Sequence, residues 1–103
     1  MKTEKDKYRP LPDGITIMPS KIEGLGLFTL VDIDKGVNLG ITHVRDAITT
    51  QLYRTPLGGF INHSNKPNAK IVEVQRFRYL YVLRNIEPLE EITVKYTLYN
   101  PEE

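Results

Sequence analysis

The chain has no cysteine, no tryptophan and only two histidines among its 103 residues. Without thiols it can form no disulfide, no thiolate zinc site and no cysteine nucleophile. His43 and His63 alone are a weak basis for a metal centre, so we expect no metal site. No apolar run approaches the roughly 20 residues that a membrane-spanning helix needs, and we expect no contact with membranes.

The chain also lacks an excess of either charge. Fourteen Lys and Arg residues against thirteen Asp and Glu residues leave a formal net charge of +1. Tight binding to a polyanion needs clustered, uncompensated cations, so this balance predicts no direct binding to nucleic acid. Residues 1–9 are polar and alternate in charge, unlike the apolar region of a signal peptide. We therefore expect an intracellular protein.

A chain of this length is enough for one domain. We expect a flexible arm over residues 1–13, the domain over residues 14–100 and a short tail over residues 101–103. Short runs rich in β-branched residues alternate with Gly, Pro and Asp, which is typical of small β-sheets. The predicted fold class is therefore mostly β with little helix.

Several elements can be predicted individually. The strongest local pattern is a hairpin, with strands over Ala69–Val74 and Tyr79–Leu83 joined by residues 75–78. Val44, Ile48 and Leu52 recur at helical spacing and predict one helix over Thr42–Arg54, although two successive threonines are unfavourable inside a helix. Further strands are predicted at Ile15–Met18, Leu27–Leu30, Val37–Ile41 and Glu91–Tyr96.

Two glycines, Gly24 and Gly26, flank Leu25. A dinucleotide-binding fingerprint needs a third glycine three residues later and a following helix. The chain has Thr29 at that position, within a strand-like run. The pair instead marks a close approach of the backbone, either to another part of the fold or to a ligand.

The densest polar cluster is the run Asn62–Asn68. Its residue types form a turn by themselves, because their side chains bond to nearby backbone groups. Asn62 and His63, however, directly follow the apolar pair Phe60-Ile61, so we expect them at the buried end of a strand. Buried polar groups need partners, and a polar ligand would supply them.

Six tyrosines are many for so small a chain. Tyr96 ends the last apolar run, which sets it apart from tyrosines that only fill a core. Tyr79 and Tyr81 stand with Phe77 among three arginines. That group has an alternative interpretation, as a surface on which single-stranded nucleic acid stacks.

Taken together, these motifs resemble those of the SET-domain family. The family's Gly-x-Gly motif, with its following strand and Asp-Ile-x-x-Gly turn, is matched by Gly24–Phe28 and Asp32–Gly36. Its Asn-His-Ser-x-x-Pro-Asn motif is matched by Asn62–Asn68, and its acidic strand ending in tyrosine by Glu90–Tyr96. The resemblance covers about residues 14–99. The chain departs from the family at Gly59, where an arginine is common.

The resemblance implies a SET-domain fold of several short β-sheets with a C-terminal pseudoknot, in which the last segment lies beside Asn62 and His63. It implies a methyltransferase that uses S-adenosylmethionine and acts on lysine side chains of a protein substrate, such as a histone. The cofactor-binding residues that it implies are Gly24, Leu25, Gly26, Asn62 and His63.

The resemblance also implies that Tyr96 is the catalytic residue, with Tyr99 and, less directly, Tyr53 lining a channel for the substrate lysine. Because nothing follows residue 103 to close this channel, we expect a second copy of the chain to do so, as a homodimer. Two alternatives remain open. One is a module that binds S-adenosylmethionine without transferring methyl groups, and the other is a small nucleic-acid-binding β-barrel.

Overall fold

The structure is a computed structural model, and it describes residues 10–95 of the chain. These residues contain no helix, which confirms the prediction of a mostly β fold, and so none that could cross a membrane. Eight strands run in chain order: β1 Ile15–Pro19, β2 Leu25–Thr29, β3 Asn38–Arg45, β4 Leu52–Arg54, β5 Asn62–His63, β6 Ala69–Val74, β7 Phe77–Val82 and β8 Glu91–Val94.

The strands form two sheets of four. The first sheet has the order β1-β2-β8-β5, and the second has the order β4-β3-β7-β6. All neighbouring strands are antiparallel except β5 and β8, which are parallel, with Asn62 opposite Thr93 and His63 opposite Val94. This pairing places Asn62 and His63 beside the last described strand, as the resemblance implied.

One apolar core joins the two sheets. The first sheet contributes Leu27 and Ile92, and the second contributes Leu80 and Val82, all of them buried. In β7 the core residues alternate with residues that point to the other face, because successive side chains of a strand lie on opposite sides of the sheet. The second sheet therefore has a core face and an outer face.

A buried amide fixes the position of β8. The Asn68 side chain is 2% exposed. Its Nδ2 donates to the Glu91 carbonyl at 2.8 Å, and its Oδ1 accepts from the Thr93 amide at 2.8 Å. A strand of only two residues, β5, cannot pair with all of β8, and these two bonds satisfy backbone groups that it leaves free.

The predicted helix over residues 42–54 is wrong, because these residues form β3, a turn and β4. The Asp46 side chain accepts bonds from the amides of Ile48 and Thr49, at 2.7 and 3.0 Å, as a helix N-cap does. The chain then leaves the helical path at Thr50, which has φ 61°. Ile48 is 91% exposed, so the helical spacing had no core to face.

The predicted hairpin is confirmed, with a tighter turn than expected. β6 pairs with β7 from Ala69 opposite Val82 to Val74 opposite Phe77. The connection is therefore Gln75 and Arg76 alone, rather than four residues. Gln75 has φ 57°, the left-handed conformation that two-residue hairpin turns need, and the turn lacks the Gly or Asn that usually announces it.

The second sheet also holds a histidine in a positive environment. His43 is half-buried on β3, opposite Arg54 of β4 and Arg78 of β7. Burial, followed by the charges of Arg78 and Arg54, lowers the pKa of His43 below its ordinary value, and the Glu73 carboxylate opposes this only in part. The fold therefore favours the neutral ring.

Asn68→Ala is expected to lower the free energy of unfolding by about 2–6 kcal/mol. It leaves a backbone carbonyl and an amide without partners in a buried place, at about 1–3 kcal/mol each. Urea denaturation followed by circular dichroism measures the change. Asn65→Ala removes an exposed amide from the same motif and should stay within about 0.5 kcal/mol of the parent. Equal losses in the two variants would contradict the role assigned to Asn68.

The stability of the protein should depend on the protonation of His43. Its pKa is lower in the folded state, so the unfolded state binds more protons below an unfolded pKa of about 6.5. The stability that the neutral ring contributes is complete above that pH. It is lost as the pH falls from the unfolded pKa through the lower folded pKa. Urea denaturation at several pH values between about 5 and 7.5 should show this slope, and His43→Gln should flatten it. An unchanged slope in His43→Gln would assign it to other groups.

Candidate functional site

Residues from all three sequence motifs meet at one end of the first sheet. The Asn62 amide, on β5, lies at their centre. Its Nδ2 is 3.1 Å from the carbonyl of Glu23, which precedes the Gly-x-Gly motif, and 3.2 Å from the carbonyl of Leu25, the middle residue of that motif. The same Nδ2 is 2.9 Å from a carboxylate oxygen of Glu91, on β8. One side chain therefore links motifs that are far apart in the chain.

Gly26 makes this arrangement possible. It is buried, and a Cβ atom at this position would collide with the carboxylate of Glu91. The Glu91 oxygens also accept bonds from the Ser20 hydroxyl, at 2.8 and 3.0 Å. Ser20 accepts in turn from the Ile22 amide at 2.9 Å, which orders the turn that precedes the motif. The close approach predicted for this glycine is thus an approach to a side chain.

Gly24 serves a different purpose. Its φ is 48°, a left-handed conformation that favours glycine, and no atom lies within 4 Å of the place of a Cβ. The neighbouring Leu25 is 49% exposed. The start of the motif is therefore open to a ligand, whereas Gly26 is packed against the Glu91 side chain.

The groups around Asn62 are mainly hydrogen-bond acceptors. Its Nδ2 is shared among three acceptors, and its Oδ1 accepts no hydrogen bond from any of residues 10–95. The carbonyls of Glu23 and Leu25 and the carboxylate of Glu91 lie around it. Such a set fits a ligand with donor groups and positive charge. Within residues 10–95 no group of three His, Asp or Glu residues is placed to hold a metal ion.

His63 follows Asn62 in β5 and is exposed, with Nε2 3.2 Å from the Asn65 Oδ1. The Ser64 amide then donates to the Val94 carbonyl at 2.9 Å, which continues the pairing with β8. The residues predicted at the buried end of a strand thus lie in a two-residue strand, and only the preceding Ile61 is fully buried.

The structure does not bring all predicted site residues together. Tyr53 lies on β4, at the edge of the second sheet, and is 51% exposed, with its hydroxyl 3.3 Å from the Gln51 side chain. It is therefore on the other sheet from Asn62 and Gly26. Tyr96 and Tyr99 lie outside the described residues, so their assignments stay predictions.

Two members of the cluster were not identified from the sequence. Ser20 belongs to none of the three motifs, and Glu91 was predicted only as part of an acidic strand. A signal for Glu91 exists, since it is the one charged residue of the strand Glu91–Val94, whose other three residues are buried. An acid placed before a buried run needs a partner, and the second glycine of the motif provides the space for it.

The chain was compared with known sequences and structures. A sequence profile of the SET domain matches residues 45–97, which is just over half of the chain and includes the second and third motifs. No curated protein sequence matches significantly.

Solved structures of similar fold agree with this match. A Plasmodium falciparum protein described as a candidate histone methyltransferase has a TM-score of 0.68 at 24% identity, covering 84% of this chain and 95% of that one. The methyltransferase domain of human PR domain-containing protein 2 has a TM-score of 0.66 at 20% identity, covering 90% of this chain and 84% of that one. The SET domain of the RIZ1 tumor suppressor has a TM-score of 0.67 at 19% identity, covering 85% of this chain and 72% of that one.

At these identities the structural likeness is evidence of the fold alone, and it confirms the predicted SET-domain fold. The family assignment itself rests on the sequence match to residues 45–97. The chain belongs to the SET-domain family.

Proposed function

We propose that the chain is a protein-lysine N-methyltransferase that uses S-adenosylmethionine. The observation that supports this best is the meeting of Asn62, Gly26 and Glu91 in one acceptor-rich cluster at an open edge of the first sheet. Membership of the family supports the class of reaction, since two of the similar structures are described as methyltransferases.

The cluster suggests what each residue does for the cofactor. Gly24 and Leu25 would line it with backbone, where no side chain obstructs the approach. Asn62 would accept a bond from a donor group of the ligand through Oδ1, because its Nδ2 is held by Glu91 and the two carbonyls. His63, exposed beside Asn62, would complete the binding residues. When bound, S-adenosylmethionine supplies an electrophilic methyl group on a positively charged sulfur.

The acceptor of the methyl group must be a neutral amine. A lysine has an ordinary pKa of about 10.4, so it must lose a proton to solvent before the transfer. An apolar channel and a neighbouring positive charge both lower the pKa of an amine, which removes the need for a dedicated base. After that step, catalysis depends mainly on position. We assign the orienting role to the Tyr96 hydroxyl and the lining of the channel to Tyr99, both on the strength of the family motif.

The substrate that we propose is a protein that presents a lysine in an accessible segment. A histone is the first candidate, because a structure of similar fold is described as a candidate histone methyltransferase. Mass spectrometry of a histone incubated with the protein and S-adenosylmethionine tests this directly. Binding of the ligand without any methylation would favour the alternative of a binding module.

Asn62→Ala is expected to weaken the binding of both S-adenosylmethionine and S-adenosylhomocysteine. Losing the hydrogen bonds of a half-buried amide costs about 1–3 kcal/mol, which is about 5- to 150-fold in Kd. Isothermal titration calorimetry measures the change. Asn85→Ala removes an amide from a distant turn, where Oδ1 accepts from the Lys35 amide, and should leave the affinity unchanged. No binding by the unmodified chain at millimolar ligand would contradict the proposal.

Tyr96→Phe tests the assignment of the catalytic residue, because it removes only the hydroxyl. The affinity for S-adenosylmethionine should stay the same, and the rate of methyl transfer should fall on the order of 10²-fold, as for one positioned hydrogen bond of about 2.7 kcal/mol. Tyr81→Phe, on the second sheet, should keep the parent rate on the same histone substrate. A full rate in Tyr96→Phe would remove this residue from the catalytic machinery.

A further inference from the structure

The outer face of the second sheet carries a row of aromatic side chains that the proposed methyl transfer does not use. Phe77, Tyr79 and Tyr81 alternate along β7 with the core residues Leu80 and Val82, so they lie on the face away from the core. The pairing with β6 places Val74, Val72 and Lys70 opposite the three rings. The pairing with β3 adds Val44 and Asn38 on the other side.

The three rings form a row without stacking on one another. The centroids of Phe77 and Tyr79 are 6.3 Å apart with their planes at 46°, and those of Tyr79 and Tyr81 are 6.5 Å apart at 58°. All three side chains are half-buried rather than buried. Each ring therefore keeps part of its surface available to a flat ligand group.

Positive charge lies at both ends of this row. The Arg76 guanidinium is 5.4 Å from the centroid of the Phe77 ring, and Lys70 lies opposite Tyr81 at the other end. None of the residues that the described strands place on this face is acidic. The acid of the hairpin, Glu73, points to the opposite face, where it accepts a bond from Arg78 at 2.8 Å.

A further aromatic residue extends this face. Tyr53 of β4 lies opposite Val44 and is 51% exposed. The balanced net charge of the whole chain thus conceals an uneven distribution, with a cationic and aromatic region on this sheet.

This distribution decides which partner the face fits. A second copy docked on it about a two-fold axis would use the same patch on both chains. That would bring lysines and arginines near one another with no acid on the face to compensate. An anionic partner meets no such repulsion, and one with flat rings also matches the aromatic row. Single-stranded nucleic acid has both properties, since its bases stack on aromatic side chains and its phosphates contact cations.

We infer that the outer face of the β4-β3-β7-β6 sheet binds single-stranded nucleic acid, with bases on Phe77, Tyr79 and Tyr81 and phosphates near Arg76 and Lys70. This inference goes beyond the proposed methyl transfer. It also differs from the expectation, drawn from the net charge alone, that the chain does not bind nucleic acid directly. The binding should depend little on sequence, because every base has a ring face. It should weaken with salt only modestly, with a slope of about −1.4 in log Kobs against log salt for two phosphate contacts.

Fluorescence anisotropy with labelled oligo(dT) and oligo(U) of about 12 nucleotides tests the inference on the full chain. The unmodified protein should bind both. Tyr79→Leu keeps apolar bulk on the sheet and removes the ring, so it should weaken binding at least fivefold. Tyr79→Phe keeps the ring and should bind as the parent does. Equal affinity of Tyr79→Leu and the parent, with both folded by circular dichroism, would overturn the inference.

A matched pair of lysine variants separates this face from general attraction. Lys70→Ala and Lys21→Ala change the net charge equally, but Lys21 lies in the exposed turn between β1 and β2, on the first sheet. Only Lys70→Ala should weaken binding and reduce the salt slope. Equal effects of both, or equal competition by polyglutamate, would show attraction by charge alone and overturn the inference. So would a dimer by light scattering that Tyr79→Leu dissociates, since the face would then be occupied by a second copy.

Discussion

The position of the last described strand depends on the two bonds that the Asn68 side chain makes on either side of Ile92. β8 lies between β2 and β5, so it is the strand through which the three motifs are joined. A shift of one residue in its register would turn the Glu91 carboxylate to the opposite face of the sheet. The cluster with Asn62 would then lose its acid. A buried amide outside the cluster thus determines the geometry of the candidate site.

The two sheets divide the molecule by chemistry. The first sheet has an edge rich in acceptors, where the Glu91 carboxylate and backbone carbonyls surround Asn62. The second sheet has an outer face with rings and cations, and the acid of its hairpin, Glu73, is turned away from it. Both features are compatible with one core, because the alternation of each strand separates the residues that pack from those that remain accessible.

The sequence predicted those parts of the structure that depend on local patterns. Alternating β-branched runs marked β1 and the β6–β7 hairpin, and the spacing of the motifs identified the family. The prediction of a helix over residues 42–54 was wrong because the apolar residues at helical spacing had no core to face, as the exposure of Ile48 shows. The roles of Ser20 and Glu91 were missed because they depend on a tertiary contact beside Gly26. No local pattern reports which side chain will fill the space that a glycine leaves.

The parallel pairing of β5 with β8 also has a kinetic consequence. The connection between these strands contains the whole β6–β7 hairpin, and the bond between Ser20 and Glu91 joins residues 71 positions apart. Contacts of such long range slow folding, since the chain must be ordered before they stabilise it. The candidate site therefore has no local precursor, and it forms only when β2, β5 and β8 have come together. A ligand that binds there recognises the native state alone, so its concentration would shift the folding equilibrium of the entire domain.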